Sequence, residues 1–173
     1  CAPCDAFFFK EKKVAVVGGG DSAMEEALVL TKFASEVTII HRREVFRASK
    51  IMQDRVLSHP KIKVLFNTEV ADILGENKVE SLVLKSPLKP ETWNLITDGL
   101  FVAIGHKPNS QIFGDLVEID EKGYIINSKT LGVFVAGDVH DHVYKQAVTA
   151  AGFGCQAAMD VERWLENQTR NSG

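Results

Sequence analysis

The sequence predicts an α/β fold built on a parallel β-sheet, and three observations lead to that expectation. Short runs that are apolar on both faces, as in a covered parallel sheet, alternate with segments of helical periodicity. The cluster Gly18-Gly19-Gly20 separates the first of these runs from the first helical segment. A chain of 173 residues that is 45% hydrophobic and 25% charged can also bury a core.

The first third of the chain is expected to form a β-α-β-α-β unit. Strands are predicted at residues 13–17, 37–40 and 61–66. One helix opens at residue 21, with small or apolar residues every three or four positions, and a second covers residues 49–57. Because parallel strands joined by helices cross over in a right-handed sense, this order predicts a Rossmann-type sheet.

The middle of the chain predicts an antiparallel meander inserted into the parallel fold. Segments 70–74 and 79–85 flank a turn at 75–78, which is the pattern of a β-hairpin. A further strand of this meander is expected over residues 100–104, directly before Gly105.

The last third predicts two short strands, at 124–126 and 133–136, and a closing helix over about 146–166. A domain boundary is expected after residue 104. It divides the chain into residues 1–104 and 105–173.

Composition excludes several classes of protein. The formal net charge of −3 carries no basic excess, so no nucleic-acid partner is expected. The apolar runs are far shorter than the roughly 20 residues of a membrane helix. Three cysteines are too few for a disulfide scaffold, and two of them stand in one Cys-x-x-Cys.

The glycine cluster matches a dinucleotide-binding loop. Gly18-x-Gly20-x-x-Ala23 lies directly after a predicted strand and directly before a predicted helix. The first glycine permits a tight turn, the second lets a pyrophosphate approach the backbone, and Ala23 allows close packing of helix on strand. The N–H groups at the helix start would bind phosphate. A merely tight strand-helix turn is the alternative.

The end of the second strand indicates which nucleotide binds. A protein specific for NAD would place Asp or Glu there to bind the ribose hydroxyls. This chain has His41-Arg42-Arg43 instead, with Arg47 one helical turn later. Guanidinium groups suit a 2′-phosphate because they offer bidentate charge-assisted hydrogen bonds, so NADPH is favoured. The alternative is a solvated cationic patch.

The cysteine pair favours redox chemistry. Cys1 and Cys4 have the spacing of a small ring disulfide that a thiolate or reduced flavin can open. Asp5 could exchange the proton that such chemistry moves, although an ordinary turn residue is the alternative. Two other interpretations stay open, a zinc site completed by His140 and His142, and a pair of inert thiols.

A second candidate ligand site follows the strand predicted at 133–136. Gly137-Asp138 would place a carboxylate at the C-terminal edge of a sheet, and a helix begins near Gln146. Such an Asp can bind a ribitol hydroxyl, while helix N–H groups can stabilise negative charge on a flavin. A helix-capping or loop role for Asp138 is the alternative.

In combination these motifs resemble the low-molecular-weight thioredoxin reductases, which are class-II pyridine nucleotide-disulfide oxidoreductases. The resemblance covers nearly the whole chain and is specific because the motifs occur in the same order. The stretches that carry it are CAPCD (1–5), VGGGDSAMEEA (17–27), HRREVFRA (41–48), FVAIGHKPN (101–109), GVFVAGDV (132–139) and YKQAVTAAG (144–152).

The resemblance implies a homodimeric flavoenzyme that passes electrons from NADPH through FAD to a Cys1–Cys4 disulfide and then to thioredoxin. It implies that Cys4 lies against the flavin, that Cys1 attacks thioredoxin and that Asp5 donates the proton. Residues 1–104 would then hold the redox pair and the NADPH-binding domain, and residues 105–173 the C-terminal part of a Rossmann-like FAD-binding domain.

The resemblance also implies a set of cofactor-binding residues. The positions on the NADPH side are Gly18, Gly20, Asp21, Ser22, Ala23, Glu25, Glu26, His41, Arg42, Arg43 and Arg47. Two further cofactor-binding positions are Ile104 and Gly105. The positions on the FAD side are Gly137, Asp138, Lys145, Gln146 and Ala147. No metal ligand is expected.

We expect the chain to be a fragment of a cytoplasmic enzyme, because the family's separate FAD-pyrophosphate loop is missing from it. By itself such a fragment is expected to be inactive. Two other functions stay open. The flavin subunit of an alkyl hydroperoxide reductase shares the fold and a Cys-x-x-Cys, but it prefers NADH and lacks a His-Arg-Arg run. A nucleotide-binding module without catalysis is the second.

Overall fold

The computed structural model describes residues 1–171. The chain divides into two compact units, residues 1–105 and the residues from 106 onwards. The first unit contains parallel and antiparallel sheets together with helices, which confirms the predicted α/β class. Within residues 1–171, no helix combines the length and the apolar character needed to cross a bilayer.

The first unit opens with the predicted Rossmann-type order. After a short helix α1 (Ala2–Asp5), strand β1 (Lys13–Gly18) leads into helix α2 (Asp21–Leu30) and strand β2 (Glu36–Ile40). Helix α3 (Lys50–Leu57) then connects to strand β3 (Ile62–Leu65), and the three strands pair in parallel. The helix and strand boundaries lie within a few residues of those predicted.

The third strand of the meander is not the predicted one. The strand predicted at 100–104 belongs to the parallel sheet, and a different strand completes the meander. Strands β4 (Glu69–Leu74) and β5 (Ser81–Ser86) form the expected antiparallel pair. Strand β6 (Lys89–Ile96) pairs antiparallel with β5, and no strand was predicted over these residues. Six of its eight residues are exposed, so its sequence carries little of the apolar alternation that marks a strand.

Strand β7 (Gly99–Ala103) completes the parallel sheet, whose order is β3-β2-β1-β7. Helix α2 covers one face of this sheet with a fully buried stripe, in which Met24 and Leu30 are the largest side chains. Burial of each contributes about 1.5–3 kcal/mol. This packing fixes the start of α2, and therefore the glycine loop, against the ends of the strands.

The second unit is built from fewer elements. A 3-10 segment (Gln111–Leu116) precedes the antiparallel pair β8 (Val117–Ile119) and β9 (Ile125–Ser128). A long helix α4 (Ala147–Asn171) follows. Strand β9 lies where a strand was expected, whereas β8 was not predicted. The prediction of a strand at 133–136 is wrong.

The segment 133–136 forms no strand because no neighbouring strand pairs with it among residues 106–171. The Val133 N–H donates to the carbonyl of Thr130 within its own turn. The Ile125 N–H donates to Val139 instead, just beyond the segment. The apolar residues at 133–136 therefore reflect partial burial and not pairing with a neighbouring strand.

Candidate nucleotide and thiol sites

A cavity of about 380 Å³ lies in the first unit, where β1 and β2 end. This is the edge at which open α/β sheets bind ligands. It brings together the glycine loop, the end of β2 and the residues after β3. The lining residues are Val17, Gly18, Gly19, Ile40, His41, Arg42, Arg43, Arg47, Thr68, Glu69, Val70 and Ile104.

The glycine loop is held between β1, β7 and α2. A side chain at Gly18 would overlap the carbonyl oxygen of Ala103 in β7 and the Cβ of Ala23 in α2. Ala23 is itself fully buried, so its role is the close packing of helix on strand. Gly20 caps α2 in an extended conformation with φ −99°, and a Cβ there would meet no atom within 4 Å.

Three arginine side chains line the cavity beside this loop. Arg42, Arg43 and Arg47 are exposed, and within residues 1–171 none of them lies within ion-pair distance of a carboxylate. Glu69, which also lines the cavity, pairs with Lys85 at 3.3 Å. Three guanidinium groups that share one cavity without a protein counter-ion suit an anionic ligand.

Hydrogen bonds tie the arginine segment to the glycine loop. The carbonyl of Gly19 accepts from the N–H groups of Arg47 at 2.7 Å and Ala48 at 3.1 Å. One oxygen of Asp21, Oδ1, accepts both the N–H and the hydroxyl of Ser49 at 2.9 Å. This oxygen of Asp21 is therefore already engaged in hydrogen bonds within the protein.

His41 lines the cavity, but its ring is largely enclosed by protein atoms. Its side chain is 6% exposed, and Nε2 donates to the carbonyl of Val45 at 2.9 Å. The ring packs beside Phe46 and Phe66, with centroid distances of 5.3 and 6.4 Å. A Cβ on Gly19 would overlap the imidazole, so the ring rests on the glycine backbone.

The other predicted nucleotide residues differ in their position. Ser22 and Glu25 are exposed in the first turns of α2, and Glu26 is half-buried there. None of these three lines the cavity, and neither do Gly20, Asp21 or Ala23. Ile104 does line it and is exposed, and Gly105 follows with φ +98°, a conformation that favours glycine.

The two thiols lie together in the same unit, Cys1 directly before α1 and Cys4 within it. Cys4 Sγ donates to Cys1 Sγ over 2.9 Å, and both residues are exposed. Ala2 and Ala6 are buried on the opposite side of this turn and anchor it to the core. Asp5 is exposed directly after Cys4.

The second unit presents Gly137 and Asp138 on a loop before α4. Gly137 has φ +79°, and the side chain of Asp138 is exposed. His140, considered as a zinc ligand, bonds the carbonyl of Ile125 through Nδ1 at 2.8 Å. Within residues 1–171, no three potential metal-ligating side chains form a cluster.

Asp141, which the sequence did not single out, organises this loop. Oδ1 accepts from the N–H groups of Val143 and Tyr144, and Oδ2 from the Lys145 N–H and the Thr149 hydroxyl, at 2.7–3.0 Å. Burial alone would raise the pKa of Asp141, but these hydrogen bonds outweigh it and lower the pKa to about 2. An aspartate a few residues before a helix, able to bond the backbone that follows it, was the available signal.

Three of the residues predicted on the FAD side follow Asp141. Lys145 has φ +50°, and its ammonium donates to the carbonyl of His142 at 2.9 Å and lies 5.1 Å from the centroid of the Tyr124 ring. Gln146 Nε2 donates to the Tyr144 carbonyl at 3.3 Å. Ala147 is the first residue of α4 and is exposed.

Comparison with curated proteins confirms the predicted likeness to thioredoxin reductases. A thioredoxin reductase of Streptomyces clavuligerus is 51% identical over 171 residues, which cover 95% of this chain and 53% of the relative. One of Mycolicibacterium smegmatis is 51% identical over 174 residues, covering 97% and 56%. The chain therefore spans about half the length of the curated relatives that it matches.

Solved structures give the same result. The thioredoxin reductase of Streptococcus pyogenes superposes with a TM-score of 0.87 at 36% identity, covering 96% of this chain and 56% of that one. The enzyme of Giardia duodenalis gives a TM-score of 0.80 at 40% identity, covering 96% and 57%. Residues 1–154 match the family described as pyridine nucleotide-disulphide oxidoreductase. This chain is a member of the pyridine nucleotide-disulphide oxidoreductase family.

Proposed function

We propose that this chain carries the NADPH-binding and dithiol parts of a thioredoxin reductase. The observation that carries the proposal is the cavity in which Arg42, Arg43 and Arg47 lie beside a glycine loop without a carboxylate partner among residues 1–171. The family description names a pyridine nucleotide and a disulphide, and the chain holds a Cys-x-x-Cys in the same unit as this cavity. The relatives that are about 50% identical to this chain are named thioredoxin reductases.

The nucleotide in this proposal is NADPH rather than NADH. A 2′-phosphate is a dianion, and Arg42, Arg43 and Arg47 can each offer it charge-assisted hydrogen bonds. An NAD site would instead carry a carboxylate at the end of β2. When bound, the nicotinamide supplies a hydride. The contribution of this chain is to hold the adenosine end of the nucleotide.

The thiols in this proposal exchange a disulfide with thioredoxin. The Cys1 thiolate attacks a sulfur of the thioredoxin disulfide, which breaks and leaves one thioredoxin sulfur as a thiolate. Cys4 then attacks Cys1, forming the Cys1–Cys4 disulfide and releasing dithiol thioredoxin. Two electrons pass to thioredoxin, its two sulfurs take up two protons, and Asp5 is proposed to transfer protons at this site.

The surface beside the thiols suits an apolar partner surface. Phe7 and Phe8 lie in the 3-10 segment Ala6–Phe9 that follows α1, and their side chains are 67% and 70% exposed. Large aromatic side chains exposed next to a reactive pair indicate a contact area for a protein partner. We therefore include these two residues in the proposed thioredoxin contact.

FAD is proposed as the second cofactor, with the loop before α4 as part of its site. Asp138 fits a ribitol hydroxyl because its carboxylate is exposed on that loop. Lys145 fits less well as a direct ligand, because its ammonium already contacts His142 and Tyr124. Gly137, Gln146 and Ala147 complete the proposed positions. A homodimer and a cytoplasmic location complete the proposal for the whole protein.

The nucleotide part is tested by calorimetric titration of the 173-residue chain with 2′,5′-ADP and with 5′-AMP. The double variant Arg42→Gln/Arg43→Gln should lower the affinity for 2′,5′-ADP by about 100-fold, since a hydrogen bond to a charged group contributes ~1.5–3 kcal/mol. The affinity for 5′-AMP should change little. Arg55→Gln is the matched control, because Arg55 lies on α3 outside the cavity lining.

Equal affinities of the wild-type chain for the two nucleotides would contradict the proposal of NADPH. That result would favour the alternative of an NADH-dependent flavin subunit. A chain that bound 2′,5′-ADP but showed no thiol exchange would favour the non-catalytic nucleotide-binding module.

The thiol part is tested by trapping a mixed disulfide with thioredoxin. In a Cys155→Ser background, which removes the third exposed thiol, the Cys4→Ser variant should accumulate a covalent adduct through Cys1. The Cys1→Ser variant should form much less of it. Equal adduct yields from the two variants would contradict the assignment of Cys1 as the attacking sulfur.

A further inference from the structure

We infer that His41 is a positioning residue, which holds the arginine segment in register with the glycine loop, and is not a ligand of the 2′-phosphate. This inference rests on the proposed NADPH function and deepens it. The sequence placed His41 among the nucleotide-binding residues because it precedes Arg42 and Arg43. The contacts of its ring point to a different role.

The imidazole ring of His41 is enclosed by aromatic side chains and by main-chain atoms. His41 is 6% exposed, and its aromatic neighbours Phe46 and Phe66 lie on one side of it. Nε2 donates to the carbonyl of Val45 at 2.9 Å, and both ring nitrogens lie where a Cβ on Gly19 would be. A ligand phosphate would have to break this bond and displace protein atoms.

The ring also occupies the space that a side chain on Gly19 would need. Gly19 therefore lacks a Cβ for a packing reason, which explains the middle glycine that the loop motif leaves unspecified. The carbonyl of this same glycine accepts from Arg47 and Ala48. The imidazole and two main-chain hydrogen bonds thus join the segment 41–48 to the glycine loop at one residue.

A second contact joins the same two segments further along. Asp21 Oδ1 accepts the N–H and the hydroxyl of Ser49, which precedes α3. We call the contacts of Gly19 and Asp21 with residues 41–49 the loop clamp. The clamp sets the distance between the glycine loop, which would bind the pyrophosphate, and Arg42, Arg43 and Arg47, which would bind the 2′-phosphate.

A nucleotide with both anionic groups gains affinity from the clamp, because both sites are in place before it binds. A nucleotide with the 2′-phosphate alone engages the arginine half and gains little. Loss of the clamp should therefore weaken NADP⁺ more than 2′-AMP. Loss of a direct phosphate ligand should weaken both by the same factor.

The test is a double-mutant cycle on the 173-residue chain with NADP⁺ and 2′-AMP as probes, measured by calorimetry. His41→Gln keeps a neutral donor for Val45 but lacks the ring that rests on Gly19. We expect it to lower NADP⁺ affinity about tenfold, ~1.4 kcal/mol, and 2′-AMP affinity by less than about twofold. Gly19→Ala should have the same effect, and the double variant should be no worse than the single ones.

Equal losses for NADP⁺ and 2′-AMP in His41→Gln would overturn the inference and make His41 a phosphate ligand. Additive losses in the double variant would also overturn it, because they would show that His41 and Gly19 act separately. Circular dichroism, together with Trp93 fluorescence in a Trp164→Phe background, identifies a variant that fails to fold. Asp21→Asn, which weakens the second contact of the clamp, then replaces that variant, with the same expectation for the two probes.

His106→Ala is the matched histidine control, since His106 is exposed and lies in the other unit. It should leave both affinities unchanged. If the wild-type chain does not bind 2′-AMP, or if Arg42→Gln leaves 2′-AMP affinity unchanged, the proposed NADPH function fails. That result differs from every outcome that bears on His41 alone.

Discussion

The two units of the chain hold their candidate sites by different physical means. In residues 1–105 the glycine loop and the arginine segment rest on a parallel sheet with a continuous apolar core. Between residues 106 and 170, five residues are buried, which are Ser110, Val117, Tyr124, Ile125 and Asp141. The loop before α4 is held largely by the carboxylate of Asp141. The first site therefore depends on packing, and the second on one charged group.

The largest expected effect tests the dependence of the first unit on packing. Met24 in α2 is fully buried, so Met24→Ala should lower the free energy of unfolding by about 2–5 kcal/mol. The two tryptophans lie in different units, Trp93 in the first and Trp164 in the second. Urea unfolding followed by Trp93 fluorescence in a Trp164→Phe background measures the effect on the first unit.

Met159→Ala is the matched control in α4, where the methionine side chain is 47% exposed. It should change the stability by less than about 0.5 kcal/mol, as surface substitutions do. Trp164 fluorescence in a Trp93→Phe background reports on this unit. Equal effects of the two methionine substitutions would remove the contrast between the units.

The next effect separates the structural from the binding role of two glycines in one loop. Gly18→Ala should destabilise the first unit by about 1–3 kcal/mol, because its Cβ would overlap the Ala103 carbonyl in β7. Gly20→Ala should change stability by less than about 0.5 kcal/mol, since its surroundings are open. Gly20→Ala should nevertheless weaken NADP⁺, because the proposed pyrophosphate site needs a bare backbone there. Urea unfolding and calorimetry check the two parts.

A Gly20→Ala variant as destabilised as Gly18→Ala would mean that the whole loop is packed. A Gly20→Ala variant with wild-type NADP⁺ affinity would mean that the pyrophosphate lies elsewhere.

Local sequence patterns predicted the first unit well because its core is formed by the apolar residues that make up those patterns. The continuous apolar runs of β1 and β2 mark strands covered on both faces, and the stripe of α2 marks the helix between them. Strand β6 was missed because Pro90 and polar side chains break its pattern, and it pairs because β5 presents a free edge. The prediction of a strand at 133–136 was wrong for the opposite reason, since this segment is apolar but has no strand beside it among residues 106–171.

The candidate sites were predictable where residue type decides the chemistry. Cys1, Cys4 and the arginines after β2 stand out by type and spacing alone. The enclosure of the His41 ring depends on Phe66, which is far away in the sequence, so no local pattern could show it. Asp141 was overlooked for a similar reason, because its four hydrogen bonds require the loop to fold back on itself.

The third effect tests the dependence of the second unit on one charge. Asp141→Asn replaces an acceptor-only carboxylate with an amide, so at least one of the four hydrogen bonds must be lost or reversed. The amide protons of Val143, Tyr144 and Lys145 should exchange with solvent markedly faster, while those of β1 stay unchanged. Hydrogen-exchange NMR measures both. Asp138→Asn, at an exposed carboxylate, is the control and should leave the three amides as they are.

The smallest effect is the pH dependence of the same contact. The pKa of Asp141 is lowered to about 2 in the folded chain, whereas an unfolded Asp titrates near ~3.9. A lowered pKa means that the stabilisation is complete above about pH 4 and is lost as the pH falls towards 2. NMR titration of the Lys145 amide shift should therefore show a midpoint near pH 2, and the Asp141→Asn variant should lack it. A midpoint near pH 4 would mean that the four hydrogen bonds do not favour the charged form, and the second unit would then need another explanation for the order of its loop.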